Sequence, residues 1–138
     1  MTSPDAQTVT QTNAEILAGG YRALAEGNLP AVLAMFSEDI RWHKPGQNPL
    51  SGDYTGHDAV AAHFQALMER SGGTFSLDVH DILDNGKETV MALVTENAER
   101  NGARLNLSAI HLWHFEDGRA TSFQNFVSDE SAYDAFWS

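Results

Sequence analysis

Residues 75–127 read FSLDVHDILDNGKETVMALVTENAERNGARLNLSAIHLWHFEDGRATSFQNFV, and their pattern decides the fold. Phe75, Leu77 and Val79 alternate with Ser76, Asp78 and His80, the period-two signature of a half-buried strand. Asp84-Asn85-Gly86-Lys87 then supplies a hairpin turn, and Thr89 to Ala98 is the returning strand. Asn101-Gly102 makes a second turn before a strand over Leu105 to Phe115. Glu116-Asp117-Gly118 makes a third, before a strand over Ala120 to Val127. Four consecutive strands joined by tight turns predict an antiparallel sheet.

Upstream of this sheet the period changes. Between about Ala6 and Glu26, Val9, Ile16, Leu17, Tyr21 and Leu24 space out as the buried face of a helix, and Gly27-Asn28 stops it. Gly19-Gly20 inside that helix costs about 1 kcal/mol per glycine against alanine, so something packs close there or the helix kinks. Leu29 to Phe36 reads as a short helix with Pro30 in its first turn. Ile40 to Lys44 reads as a short strand ended by Pro45-Gly46. Residues 45–56 hold two prolines and three glycines, the composition of a loop, and its length suits a pocket rim. Asp58 to Arg70 is a third helix, with Val60, Phe64, Leu67 and Met68 on one face. Asp129 to Trp137 is a short closing helix or an ordered tail, and Thr2 to Asp5 a loose terminus. Helices preceding a run of strands predict one α+β domain over 1–138, in which three helices pack on a curved antiparallel sheet and enclose an apolar pocket.

Composition narrows the function classes. The chain has 138 residues, 19 acids against 8 bases and a formal charge of −11, which repels phosphate backbones and argues against nucleic acid as a partner. No apolar run approaches the ~20 residues of a membrane helix, and the N-terminal residues carry no secretory signal pattern. With no cysteine there is no disulfide, thiolate chemistry or cysteine-bound metal, which is compatible with a cytoplasmic location. The six histidines show no metal-ligand spacing, and no nucleotide-binding or nucleophile-elbow motif is present, so neither metal nor cofactor is expected.

Several motifs together carry a resemblance. They are Ala23 to Leu29, Met35-Phe36-Ser37-Glu38-Asp39, Trp42-His43-Lys44-Pro45-Gly46, Leu50 to Gly56, and Phe115-Glu116-Asp117-Gly118-Arg119. On these the chain resembles the SnoaL-like and ketosteroid isomerase-like group of the nuclear transport factor superfamily, over nearly its whole length. The resemblance implies a pocket-bearing cone, dimerisation through the sheet, and activities that range from isomerase and polyketide cyclase to dehydratase or none. Fold alone does not choose among them.

The candidate site follows from polar residues placed on apolar faces. His111 shares a strand face with Leu105, Leu107, Ala109, Trp113 and Phe115. By resemblance it stands where ketosteroid isomerases carry their acidic oxyanion donor, and a histidine there suits hydrogen bonding to an oxyanion or general acid–base work. The alternative is a buried histidine bonded internally. Asn125 is the polar member of its face, between Phe123 and Val127, suited to orient a carbonyl or water or to satisfy His111.

Lys44 matches the position of the family's aspartate base, but a rim lysine reaching solvent is the simpler expectation. His43 is the substitute base, although strict alternation puts it on the face opposite Trp42 and Lys44 unless the strand bulges. The family's oxyanion tyrosine corresponds to Gly20, which would enlarge the pocket; Tyr21 lies about 100° further round the helix. A relay of the limonene epoxide hydrolase type lacks inward residues, although Glu96 can face either way.

Trp42, Tyr54, Phe64, Trp113 and Phe123 are expected to line the pocket, and His57, His63, His80 and His114 to sit on the surface or on helix faces. These residues predict a small-molecule enzyme without a cofactor, working by proton transfer next to a carbonyl in the manner of an isomerase, cyclase or dehydratase. The alternative is a binding or accessory module for an apolar ligand. The mixed outer face with Asn106, Ser108, Ile110, Leu112, His114, Gln124 and Phe126 suits a homodimer contact.

Overall fold

A computed structural model gives the fold and describes residues 11–138. The expected loose terminus at residues 2–5 and the helical start from Ala6, Val9 included, lie outside the described residues. Helix α1 spans Asn13–Ala25 and starts from a capping box. Thr12 Oγ1 accepts the Glu15 N–H at 3.1 Å, and Glu15 Oε1 accepts the Thr12 N–H at 2.8 Å. Helix α2 spans Leu29–Ala34, with Asn28 as its cap and Pro30 in its first turn. Strand β1 (Phe36–Lys44) and the short β2 (Gly52–Thr55) precede helix α3 (His57–Arg70). The long strands β3 (Ser76–Asp84), β4 (Thr89–Arg100), β5 (Ala103–Glu116) and β6 (Arg119–Val127) follow. Helix α4 (Glu130–Trp137) closes the described chain, capped by the Asp129 carboxylate on the Ala132 N–H at 3.0 Å.

The α+β expectation holds, with a curved, unclosed six-stranded sheet in the order β2-β1-β6-β5-β4-β3. The three hairpin turns stand where the sequence puts them. Asn101 and Asp117 adopt φ of 53° and 51°, the left-handed conformation that a tight turn demands and that Asn and Asp tolerate. Register shifts between Val79 and Asp81 and between His114 and Phe115 bend the long strands round the core.

Four expectations need correction. The sheet is not wholly antiparallel, because β6 returns beside β1 in the same direction after α3 has carried the chain across the sheet. The described residues form four helices rather than three, the C-terminal segment being helical. Residues 52–55 of the expected loop pair with β1 as an edge strand. Phe36, expected at the end of a helix, opens β1, and its Cα partner on β6 is Ala120.

Side chains from both layers meet in two clusters. The larger holds Leu17, Val32, Met35, Phe36, Trp42, Phe64, Trp113 and Phe123 between α1, α2, α3 and the sheet. The smaller sits under α4, built on Leu50, Leu67, Leu105, Tyr133, Phe136 and Trp137. Gly20 is explained by the first cluster. A Cβ on it would come within 2.5 Å of Met35 Sδ, so the missing side chain admits Met35, and both residues line the inner cavity.

Candidate functional site

Strand alternation sets the inner wall of the site. On β4, Val90, Ala92, Val94, Glu96 and Ala98 are all buried, so Glu96 faces the core with only 1% of its surface exposed. On β5 His111 is 4% exposed, and its cross-strand partner Asn125 on β6 is also buried. A buried carboxylate must be hydrogen-bonded or paired, and Glu96 is hydrogen-bonded. Its Oε2 accepts from His111 Nε2 at 3.1 Å and from Asn125 Nδ2 at 2.7 Å. Burial alone would raise its pKa, but the Lys44 charge, followed by the His111 and Asn125 contacts, brings it down to about 2.

The other side of His111 leads to α1. The Tyr21 hydroxyl lies 2.7 Å from His111 Nδ1, and it accepts the Trp113 indole N–H at 3.1 Å. One proton arrangement satisfies every group. Trp113 donates to the Tyr21 oxygen, Tyr21 O–H donates to Nδ1, and Nε2–H donates to Glu96. Burial holds the Tyr21 hydroxyl well above its ordinary value despite the opposing Trp113 bond, so it remains a proton donor at neutral pH.

Lys44 is not a rim residue. It is 4% exposed, and its ammonium donates to the hydroxyl of Tyr133 on α4. Burial lowers its pKa and the Glu96 carboxylate works against that fall. Burial, and then Glu96, keep Tyr133 protonated. The strand brings Lys44 inward as alternation requires, and α4 then covers it, which bars the side chain from solvent.

His43 obeys the same alternation and points away. It lies on the outer side of β1, 45% exposed, with Nδ1 2.7 Å from Asp53 Oδ1 on β2. The strand does not bulge there, so His43 does not share a cavity with His111.

Of the expected lining residues, Trp42, Phe64, Trp113 and Phe123 line an inner cavity of about 40 Å³ together with His111, Asn125, Glu96 and Lys44. Tyr54 does not; it bonds to the Leu50 carbonyl at 2.8 Å and packs behind His63, with ring centroids 4.5 Å apart. His63 also departs from expectation. It is 2% exposed and lines the cavity, and burial, helped by Lys44, lowers its pKa to about 3.

The inner cavity adjoins an apolar groove of about 760 Å³ between α1, α3 and β3. Tyr21, Leu24, Phe64, Leu67, Phe75 and Leu77 border both spaces. The inner space has room only for a few water-sized molecules, whereas small-molecule sites usually need about 300–1,000 Å³. The groove reaches that size by itself, and the inner cavity adds a small polar recess behind it.

Sequence reasoning missed Glu96, Tyr21 and His63 as cavity residues. For Glu96 the signal was its parity with Val90, Ala92, Val94 and Ala98. For His63 it was the helical spacing with Val60, Phe64 and Leu67. Arg100 and Arg104 are not part of the site: Arg100 holds the Phe136 and Ser138 carbonyls, and Arg104 pairs with Glu99. No epoxide hydrolase relay is therefore assembled. Among the described residues no three metal-ligating side chains gather, and no helix is long and apolar enough to cross a membrane.

The SnoaL-like domain matches residues 18–123. The chain belongs to the SnoaL-like domain family. This SnoaL-like chain is 29% identical over 117 residues to the uncharacterised protein Rv0034 of Mycobacterium tuberculosis, covering 85% of the chain and 89% of that protein. It superposes on Bal32a, from a soil-derived mobile gene cassette, with a TM-score of 0.88 and 31% identity, over 91% of this chain and 96% of that one. Its fold also matches TerC, co-crystallised with polyporic acid, with a TM-score of 0.80 and 21% identity, over 90% and 96% of the two chains. Membership of the nuclear transport factor superfamily follows, as the sequence motifs imply.

Proposed function

We propose that this SnoaL-like protein is a small-molecule enzyme that moves a proton next to a carbonyl, in the manner of an isomerase, cyclase or dehydratase. The observation that carries the reading is the hydrogen-bonded line Tyr21–His111–Glu96 in the wall of an apolar cavity. Tyr21 is the hydroxyl-bearing residue among those that border both the groove and the inner cavity, so it is within reach of a ligand in either space.

If the Tyr21 O–H turns to a substrate carbonyl, it polarises that group and releases His111 Nδ1 to act as the base. The α C–H bond breaks, its proton passes to Nδ1, and its electron pair moves onto the carbonyl oxygen held by Tyr21. Glu96 stabilises the imidazolium, and Asn125 holds Glu96. Return of the proton to a different carbon gives an isomer, and expulsion of a β-hydroxyl gives a dehydration. This scheme transfers the base role from His43 to His111 and makes Asn125 a positioning residue. TerC, which shares this fold, is co-crystallised with polyporic acid, in keeping with an organic small molecule as ligand.

The test is hydrogen–deuterium exchange at the acidic α carbon of 2-tetralone in deuterated buffer, read by mass spectrometry. Wild-type protein is expected to accelerate exchange, and Tyr21→Phe and His111→Ala to lower the rate by about a hundredfold or more. A rate equal to buffer, or variants within twofold of wild type, sinks the assignment.

The burial of Lys44 where the family keeps its aspartate base favours a second reading, a binding module that leaves its ligand unchanged. A ligand that raises the melting temperature and is recovered intact under all conditions supports it.

We infer further that two copies pair through the outer sheet face, where Leu83, Ile110 and Phe126 are exposed side chains. A monomer in sedimentation at micromolar concentration would remove that inference. The absence of cysteine supports a cytoplasmic setting.

A further inference from the structure

The cavity wall contains five buried polar atoms that make no hydrogen bond to protein: Trp42 Nε1, both ring nitrogens of His63, Glu96 Oε1 and Asn125 Oδ1. Among the described residues only three other buried side-chain atoms share that condition, so the unmet groups concentrate at this one place. Glu96 and Asn125 belong to the cluster already assigned to proton transfer. His63 stands apart from it. It enters from α3, its ring centroid lies 6.2 Å from that of Trp42, and Tyr54 packs behind it. Buried polar groups are nearly always bonded, and a ring needed only for packing has no use for two nitrogens.

We propose that His63 on α3 and the indole N–H of Trp42 on β1 form a polar subsite in the cavity wall that takes a hydroxyl group of the bound molecule. This deepens the functional reading above and rests on its premise that the cavity and groove hold a small molecule. The chemistry selects the hydroxyl. A neutral imidazole offers one donor and one acceptor, and the indole adds a donor. A hydroxyl accepts from an N–H and donates to the bare imidazole nitrogen, whereas a carbonyl leaves that nitrogen unmet. Burial and the Lys44 charge keep His63 neutral, so it provides no cation to hold a carboxylate. Lys44 itself is engaged with Tyr133, and its charge repels an ammonium group.

The probes are 2-naphthol and 2-methylnaphthalene, close in shape and differing in hydroxyl against methyl. Each is titrated into the full chain by calorimetry. Wild type is expected to bind 2-naphthol about tenfold more tightly. His63→Leu and Trp42→Phe are each expected to cut that preference by about threefold or more, while His63→Gln, which keeps a donor and an acceptor, retains most of it. Nitrogen-15 spectra of the wild-type His63 ring, which need no variant to fold, should shift with 2-naphthol and stay in place with 2-methylnaphthalene. A naphthol preference that survives in His63→Leu, or His63 signals that do not move when naphthol binds, overturns the subsite and leaves the cavity reading standing. Failure of both probes to bind overturns the cavity reading and the subsite with it.

Discussion

Replacing Glu96 with Gln keeps the side-chain shape and removes one buried charge. In the native protein Lys44, His111 and Asn125 hold this carboxyl at about 2 against an ordinary 4.5. That gap of about 2.5 pH units, at about 1.4 kcal/mol each, makes the ionised form worth about 3 kcal/mol to folding. Because the folded value is the lower one, the contribution is complete above about pH 5 and fades as pH falls toward about 2.

Glu96→Gln should therefore lose about 3 kcal/mol at pH 7, about 10 °C in melting temperature, and leave Lys44 buried beside no anion. It should also lose less than wild type on acidification, since the titrating group is gone. Urea unfolding at pH 7, 5, 4 and 3 measures both effects. Glu99→Gln, on the same strand but exposed and paired only with Arg104, serves as the control and should change stability by less than about 0.5 kcal/mol. A Glu96→Gln protein within about 0.5 kcal/mol of wild type at pH 7, or one whose acid profile parallels wild type, refutes the stabilised buried carboxylate.

Other consequences can be measured directly. Gly20→Ala should destabilise by about 1 kcal/mol because its Cβ meets Met35, while Gly19→Ala, whose nearest foreign atom is 3.9 Å away, should stabilise by about 0.5–1 kcal/mol; thermal melts of both report the contrast. His43→Ala should leave any turnover within twofold and cost less than about 1 kcal/mol by urea unfolding, since the group makes only an exposed pair with Asp53. Tyr21→Phe should cost about 1–3 kcal/mol by the same measurement, because it leaves the buried Trp113 N–H without its acceptor.

The fold was largely legible because its deciding signals are local. Turn residues at Asn85-Gly86, Asn101-Gly102 and Asp117-Gly118 divide the chain into strands whose faces follow from alternation. That same alternation placed His111 and Asn125 inward. The losses occurred where a residue's fate depends on a distant partner. β2 is four residues of turn-like composition and becomes a strand only because β1 lies beside it. Lys44 was read as a snorkelling residue because nothing near it in sequence reveals that α4 will cover it. Glu96 had the right parity, but a carboxylate on an apolar face is credible only once His111 and Asn125 bond to it and the Lys44 charge is buried in the same cavity. Tyr21 was set aside on helical angle alone, yet its long side chain spans the gap to His111. For His63 the informative signal is its helical spacing from Val60 and Leu67, which places it on the buried face of α3.

Two of the three tryptophans stand in the cavity wall. Trp42 lies 3.8 Å from Phe123 between ring centroids, and Trp113 is bonded to Tyr21. Trp137, at the end of α4, is buried in the other cluster. The protein therefore carries its own optical probe of occupancy. A molecule entering the cavity alters the surroundings of Trp42 and Trp113 and leaves Trp137 as an internal reference. Intrinsic emission, followed through a compound library, reports ligands for this site without any label.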